Sequence, residues 1–261
     1  MKKTLSITLS AFLFSLVTVI SGCTQEDLSL ETENNTENNY EVDNLYQYLM
    51  DQPTISILSV ALNPSKSSSS HYIPEFTKGD LKYLTSLTQE EFILEQAKIM
   101  SQIENITQEN IDEIAIDNYN SLLSGLGGQE EIYKLLDFGT SYLQTDGGIE
   151  DIKTTLPDGL NETEIKYYVA MCVFIDRLAR PLSSIMVNNI NLNPMSRQLG
   201  DCKGDAEREL LLRGCEFGLD TLIEIMTGGA DTVEYAFEDA YLLADLEQIY
   251  YDYEVCMGRW H

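Results

Sequence analysis

Residues 161–180, NETEIKYYVAMCVFIDRLAR, decide the fold of this chain. Asn161 and Glu164 have the spacing of a capping box, which marks the start of a helix. From Tyr167 to Ile175 the helix would be apolar on every side, whereas a surface helix has only one apolar face. We therefore expect this helix to be buried in the core, and to end or kink just before Pro181.

Helical patterns also surround this segment. Thr88 with Glu91 predicts a second capping box, before the apolar positions Phe92, Ile93, Ala97 and Met100. Strand-like alternation is scarce. We predict an all-α fold, an antiparallel helical bundle, over residues 45–261. The sequence leaves open whether it forms one domain or two subdomains, 45–155 and 156–261.

The amino terminus has the features of an export signal. Met1-Lys2-Lys3 is positively charged, and Thr4 to Ile20 contains no charge. Its apolar part is short for a membrane span, which needs roughly 20 apolar residues. Residues 1–22 therefore read as a cleaved signal peptide.

The end of this segment, Ile20-Ser21-Gly22-Cys23, resembles the lipobox of bacterial lipoproteins. The resemblance implies diacylglycerol on the Cys23 thiol, cleavage before Cys23 and acylation of the new amino terminus, with palmitate as a typical chain. Several acyl chains give stable membrane attachment, so Cys23 is the predicted anchor. An ordinary secretory signal, whose cysteine enters a disulfide, is the alternative.

The residues after Cys23 predict where the protein is held and how. Asp at the position of Thr24 tends to retain Gram-negative lipoproteins in the inner membrane, so Thr24 favours the outer membrane. Gln25-Glu26-Asp27 resembles the acidic export signals of some surface-displayed lipoproteins. Residues 23–44 are acidic and polar, without a basic residue, and we expect them to form a flexible tether.

Four further cysteines suggest disulfides in an exported protein. Two helices flank Gly229, and centring an antiparallel hairpin there places Cys202 opposite Cys256. We predict that disulfide, which staples the carboxy-terminal hairpin, and a second between Cys172 and Cys215. The same register aligns small residues that would let the helices approach closely, Gly214 with Ala244 and Gly218 with Ala240.

Charge excludes one class of partner. The formal net charge is -27, and loss of Lys2 and Lys3 with the signal peptide makes it -29. Nucleic-acid binding needs clustered Lys and Arg, so we expect no nucleic-acid partner. The acidic body should also stand off anionic lipid head groups.

Motifs for catalysis are missing from the sequence. The two histidines are His71 and His261, and there is no HExxH, GxSxG, Walker loop or CxxC. We therefore predict no catalytic residue, cofactor or metal site. Carboxylate pairs that could serve a hydrolase can still be drawn: Glu130 with Glu150, and Glu238 with Asp245.

Aromatic residues near the carboxy terminus offer contacts for a protein or glycan partner. Helical spacing assigns Tyr250 and Tyr253 to the core, and leaves Tyr251 and Trp260 as candidate contact residues. The leading hypothesis is a membrane-tethered, non-catalytic binding or scaffolding module. The alternatives are an extracytoplasmic carboxylate-dependent hydrolase and a bacteriocin-like or immunity protein.

Overall fold

The computed structural model describes residues 35–62, 72–102, 108–186, 199–227 and 235–260. Nearly all regular structure in these stretches is helical, which confirms the predicted all-α bundle. Residues 35–261 form one compact unit, and buried residues on both sides of position 155 belong to one hydrophobic core. Among the described helices, none is long and apolar enough to cross a membrane.

The amino-terminal part includes a small sheet that the sequence analysis did not predict. Helix α1 (Asn35–Met50) is followed by strand β1 (Thr54–Ser56), helix α2 (Ile57–Leu62) and strand β2 (Ile73–Glu75). The two strands pair in parallel. Each is only three residues long, which is too short for an alternating pattern to be recognised.

Helix α1 corrects the predicted tether. Residues 35–44 were assigned to the tether of residues 23–44, but they form the first part of this helix. Val42 is buried in the core, and the Asp43 carboxylate lies 2.8 Å from the Lys153 ammonium. Composition missed this because the stabilising contacts come from residues far away in the sequence.

Five helices make up the middle of the chain. The capping box predicted at the start of one of them is present: the Thr88 N–H donates to Glu91 Oε2 at 2.8 Å, and the Glu91 N–H donates to Thr88 Oγ1 at 3.3 Å. Such caps satisfy backbone N–H groups that have no partner within the helix. The helices are α3 (Lys78–Ser86), α4 (Gln89–Gln102), α5 (Gln108–Leu126), α6 (Gln129–Leu143) and α7 (Ile149–Thr155).

Helix α8 (Glu162–Phe174) is the buried helix expected from residues 161–180. Its capping box is present, and residues 168–175 are all fully buried. Beyond Phe174 the chain continues through a π-helical segment (Ile175–Ala179) into the short helix α9 (Arg180–Ile185). The wider turn comes just before Pro181, whose missing N–H and bulky ring disfavour a regular α-helix at this point.

The carboxy-terminal helices confirm the first predicted disulfide. Helix α10 (Leu199–Arg213) continues through a second π-helical segment (Gly214–Gly218) into α11 (Leu219–Thr227), and α12 (Tyr235–Cys256) is the last helix. A disulfide joins Cys202 of α10 to Cys256 at the end of α12, with their Cα atoms 6.0 Å apart.

The small residues of α10 face a different neighbour from the one predicted. A Cβ atom on Gly214 would lie 2.6 Å from Cε1 of Phe174, and one on Gly218 would lie 2.5 Å from Cδ2 of the same ring. The glycines therefore accept the Phe174 ring of α8, instead of matching Ala244 and Ala240. The predicted register assumed a continuous α-helix, and one extra residue in a π-helical turn rotates the following residues by about 100°.

The second predicted disulfide is wrong, because Cys172 and Cys215 are free thiols in the structure. A π-helical segment follows Cys172 closely, and Cys215 lies inside the other one, so the assumed register failed for this pair too. Both side chains are buried. Burial raises the pKa of Cys215 to about 12 and that of Cys172 well above its usual range, which keeps both thiols protonated and unreactive.

Candidate functional site

Two acidic side chains meet in the buried contact between α4 and α12. Glu247 is 1% exposed and Glu95 is 5% exposed. The Glu95 carboxylate accepts a hydrogen bond of 2.9 Å from the Lys98 ammonium. Among the described residues, neither carboxyl oxygen of Glu247 has a hydrogen-bond partner.

This environment changes the acidity of Glu247. Burial, and then the charge of Glu95, raise the pKa of Glu247 to about 8. A buried carboxylate without a compensating partner is unfavourable, so the group stays protonated at neutral pH. Two carboxyl groups in different environments are also found in hydrolase sites, but a substrate must reach them, and here both are closed off between the helices.

A small cavity lies between the two π-helical segments and contains a further buried acid. Its volume is about 10 Å³, which is about enough for one water molecule. Burial raises the pKa of Asp239 to about 7, although a hydrogen bond with Tyr72 lowers it in part. Polar and small groups from three parts of the fold line the cavity, including Arg177, Gly218, Thr221 and Asp239.

The structure brings the two predicted contact aromatics together. Tyr251 and Trp260 are half-buried, with ring centroids 5.4 Å apart. Both pack against Phe92 of α4, at 5.9 and 5.0 Å between centroids. Tyr250 and Tyr253 are buried, as predicted. The ring faces of Tyr251 and Trp260 are thus largely used in fastening the end of the chain to α4.

Helix α4 presents a line of apolar side chains to solvent. Ile93 is 48% exposed and Met100 is 43% exposed, and exposed Ala97 lies between them. Their i, i+4, i+7 spacing places them along one side of the helix. We call these three residues the α4 strip. The core side of α4 is formed instead by residues such as Phe92 and Ile99.

The α4 strip runs beside an exposed edge of α12. The Gln96 side chain, which lies between Ile93 and Met100 along the helix, donates to Gln248 Oε1 at 3.5 Å. One turn further along α12, exposed Asp252 accepts a 2.9 Å hydrogen bond from Gln248, and exposed Val255 follows. We call the combined surface the α4–α12 face; its members are Ile93, Ala97, Met100, Asp252 and Val255.

The carboxylate pairs considered from the sequence do not form a shared site. Glu130 and Glu150 are exposed, and each lies 3.7 Å from a lysine of its own helix. Asp245 lies 3.5 Å from Arg213 Nε, and burial raises the pKa of Asp245 to about 6. No cluster of three or more metal-ligating side chains occurs among the described residues. Several predicted positions lie outside the described residues or side chains, namely Cys23, His71, His261 and Glu238.

The chain matches no family model, no curated protein and no solved structure. The functional argument therefore depends on its own sequence and geometry.

The sequence analysis missed the α4 strip and the Glu95–Glu247 contact. The apolar spacing of Ile93, Ala97 and Met100 by itself is typical of a core-facing stripe. The signal that could have found the strip was an excess of apolar residues, because Phe92 and Ile99 already supply a core face for α4. No sequence signal indicated that Glu95 would be buried opposite Glu247.

Proposed function

We propose that this protein is an exported bacterial lipoprotein, anchored through Cys23, that binds or scaffolds a protein partner outside the cytoplasm without catalysing a reaction. The lipobox-like sequence supports the anchor, and Thr24 favours the outer membrane. Residues 24–34 would then connect the anchor to α1. The observation that carries the binding function is the exposed α4 strip.

An exposed apolar side chain is ordinary when it is isolated. Ile93, Ala97 and Met100, in contrast, are aligned along one helix beside the exposed Val255 of its neighbour. Covering such a surface releases about 25 cal/mol per Å² of apolar area. The face is therefore suited to association, whereas the buried Glu95–Glu247 pair gives the hydrolase alternative no accessible site. No observation favours a bacteriocin-like or immunity function.

The anchor is tested by metabolic labelling with an alkyne-bearing fatty acid in the producing bacterium. The wild-type chain should incorporate the label and sediment with the membranes, and Cys23→Ser should lose the label and the sedimentation together. In a Gram-negative cell, Thr24→Asp should move the labelled protein to the inner membrane. Equal labelling of Cys23→Ser would refute the anchor.

The binding function is tested by site-specific photocrosslinking in the same cells. A photoreactive phenylalanine analogue at Ile93 or Met100 should give a discrete adduct with another protein. The same analogue at Tyr133, an exposed residue of α6, serves as the matched control and should give none. Identical adduct patterns at all three positions, or no adduct at the strip, would count against binding through this surface.

A further inference from the structure

We propose that the α4–α12 face receives a basic amphipathic α-helix of the partner protein. This inference rests on the proposed binding function and specifies the chemistry of the partner. It follows from the shape of the α4 strip and from the charge that borders it.

The shape favours a helix. From Ile93 to Met100 the strip is about 10 Å long at 1.5 Å per residue. That length matches two turns of a second helix, whose own apolar side chains at i, i+3 or i+4, and i+7 would lie along it. The exposed Val255 of α12 extends the apolar surface beyond Asp252.

The charge favours a basic partner. Exposed Glu90 lies at the beginning of α4 and exposed Asp252 lies beside the strip on α12. Lys98, the one basic residue of α4, projects from a different side of that helix and pairs with Glu95 at 2.9 Å. Lysines or arginines flanking the apolar ridge of a partner helix would therefore meet carboxylates. Helix α12 contains no Lys or Arg, and its acidic residues are Glu238, Asp239, Asp245, Glu247, Asp252 and Glu254.

The same charges disfavour two other occupants of the face. A second copy of this chain, with its own formal charge of -27 before processing, would bring acidic residues against acidic residues. An anionic bilayer surface would be repelled in the same way. A cationic helix is attracted both at long range by the net charge and at contact by Glu90 and Asp252.

The probe for the test is a fluorescent helical peptide of about 18 residues, made of Leu and Lys, with Leu at i, i+3, i+4 and i+7. Two comparison peptides have the same Leu pattern with Glu for Lys, or the same composition in scrambled order. Binding to the full lipoprotein in phosphatidylcholine nanodiscs is measured by anisotropy at 0.15 M salt, with empty nanodiscs subtracted. The Leu–Lys helix should bind most tightly.

Variants assign that binding to the face. The double change Ile93→Ser with Met100→Ser should weaken binding at least about tenfold, and Asp252→Asn should weaken it about twofold to fivefold. Leu94→Ser is the matched control, because Leu94 is 63% exposed on the opposite flank of α4, and it should leave the affinity unchanged. Circular dichroism checks that each variant is folded.

Several results would overturn the inference. If the double variant binds the Leu–Lys peptide as well as the wild type, the attraction is diffuse and the face is not its site. If the Leu–Glu peptide binds more tightly and depends on Ile93, the face binds helices but the charge assignment is wrong. Strip-dependent dimerisation, or strip-dependent binding to phosphatidylglycerol vesicles, would replace the basic helix with a second copy or a membrane. The crosslinking at Ile93 and Met100 tests the proposed function independently of these outcomes.

Discussion

Glu247 of α12 lies beside Glu95 of α4 in the buried contact between the two helices. The closeness of the two acids, together with burial, raises the pKa of Glu247 to about 8. This contact lies beneath the helix that presents the α4 strip, so its protonation affects how firmly α4 is held.

The first prediction concerns the pH dependence of stability. A glutamate in the unfolded chain titrates near pH 4.5, whereas Glu247 in the folded chain titrates near 8. Between these values the folded state binds more protons, so the free energy of unfolding falls as the pH rises. Glu247→Gln should remove this loss and stabilise the protein at pH 8.5 by on the order of 3 kcal/mol. Urea unfolding at a series of pH values measures the effect.

The comparison is sharpest between pH 7 and 8.5, because Asp239 and Asp245 have pKa values raised to about 7 and about 6 and contribute at lower pH. Glu130→Gln, at an exposed position on α6, should keep the wild-type slope. A Glu247→Gln protein that still lost the same stability over this interval would contradict the assignment.

The second prediction tests the packing of α8 against the second π-helical segment. Gly218→Ala places a methyl group 2.5 Å from Cδ2 of Phe174, and such overpacking in a core costs about 1–3 kcal/mol. Thermal or urea unfolding should show this loss. Gly204→Ala on α10 is the matched control, because nothing lies within 4 Å of its added Cβ. That control should stabilise the helix by about 0.5–1 kcal/mol, and equal effects of the two changes would argue against the packing.

The third prediction concerns the confirmed disulfide. The bridge between Cys202 and Cys256 spans a sequence separation of 54 residues. A crosslink closing a loop of that length restricts the unfolded chain by about 4 kcal/mol in the chain-entropy account. Cys202→Ser with Cys256→Ser should lower the free energy of unfolding by about that amount, as measured with urea. An unchanged urea midpoint would mean that the bridge contributes little.

The fourth prediction distinguishes the two pairs of cysteines. In the folded protein without reductant, Cys172 and Cys215 should resist alkylation, because both are buried and their thiols are held protonated. Both should react once the chain is unfolded in urea. Peptide mass analysis should find only Cys202 joined to Cys256 within the folded domain. A peptide joining Cys172 to Cys215 would restore the disulfide that the structure does not form.

Local rules predicted much of the helical structure. The capping boxes at Thr88 and Asn161 and the apolar stretch from Tyr167 to Ile175 depend on residues within a few turns of one another. The constant rise of an α-helix was enough to match Cys202 with Cys256. The same reasoning failed for Cys172 and Cys215, because a π-helical turn changes the direction of the residues that follow and leaves no recognised mark in the sequence.

The candidate site was less accessible from the sequence. Tyr251 and Trp260 were selected as aromatic residues off the core face, and the structure does bring them together, but against Phe92. Ile93, Ala97 and Met100 have the spacing of a core stripe. Which apolar side of a helix is covered depends on where its neighbours lie, and helical periodicity contains no information about that.

The sequence by itself determined the helical class, the principal buried helix α8, the stapling of Cys202 to Cys256 and the acidic charge, because these follow from local periodicity, regular helix geometry and composition. The tertiary structure alone decided that α1 begins at Asn35, that Gly214 and Gly218 receive Phe174, that Glu247 is buried beside Glu95 and that the α4 strip is exposed. Each of these depends on contacts between distant segments, and such contacts exist only once the chain has packed.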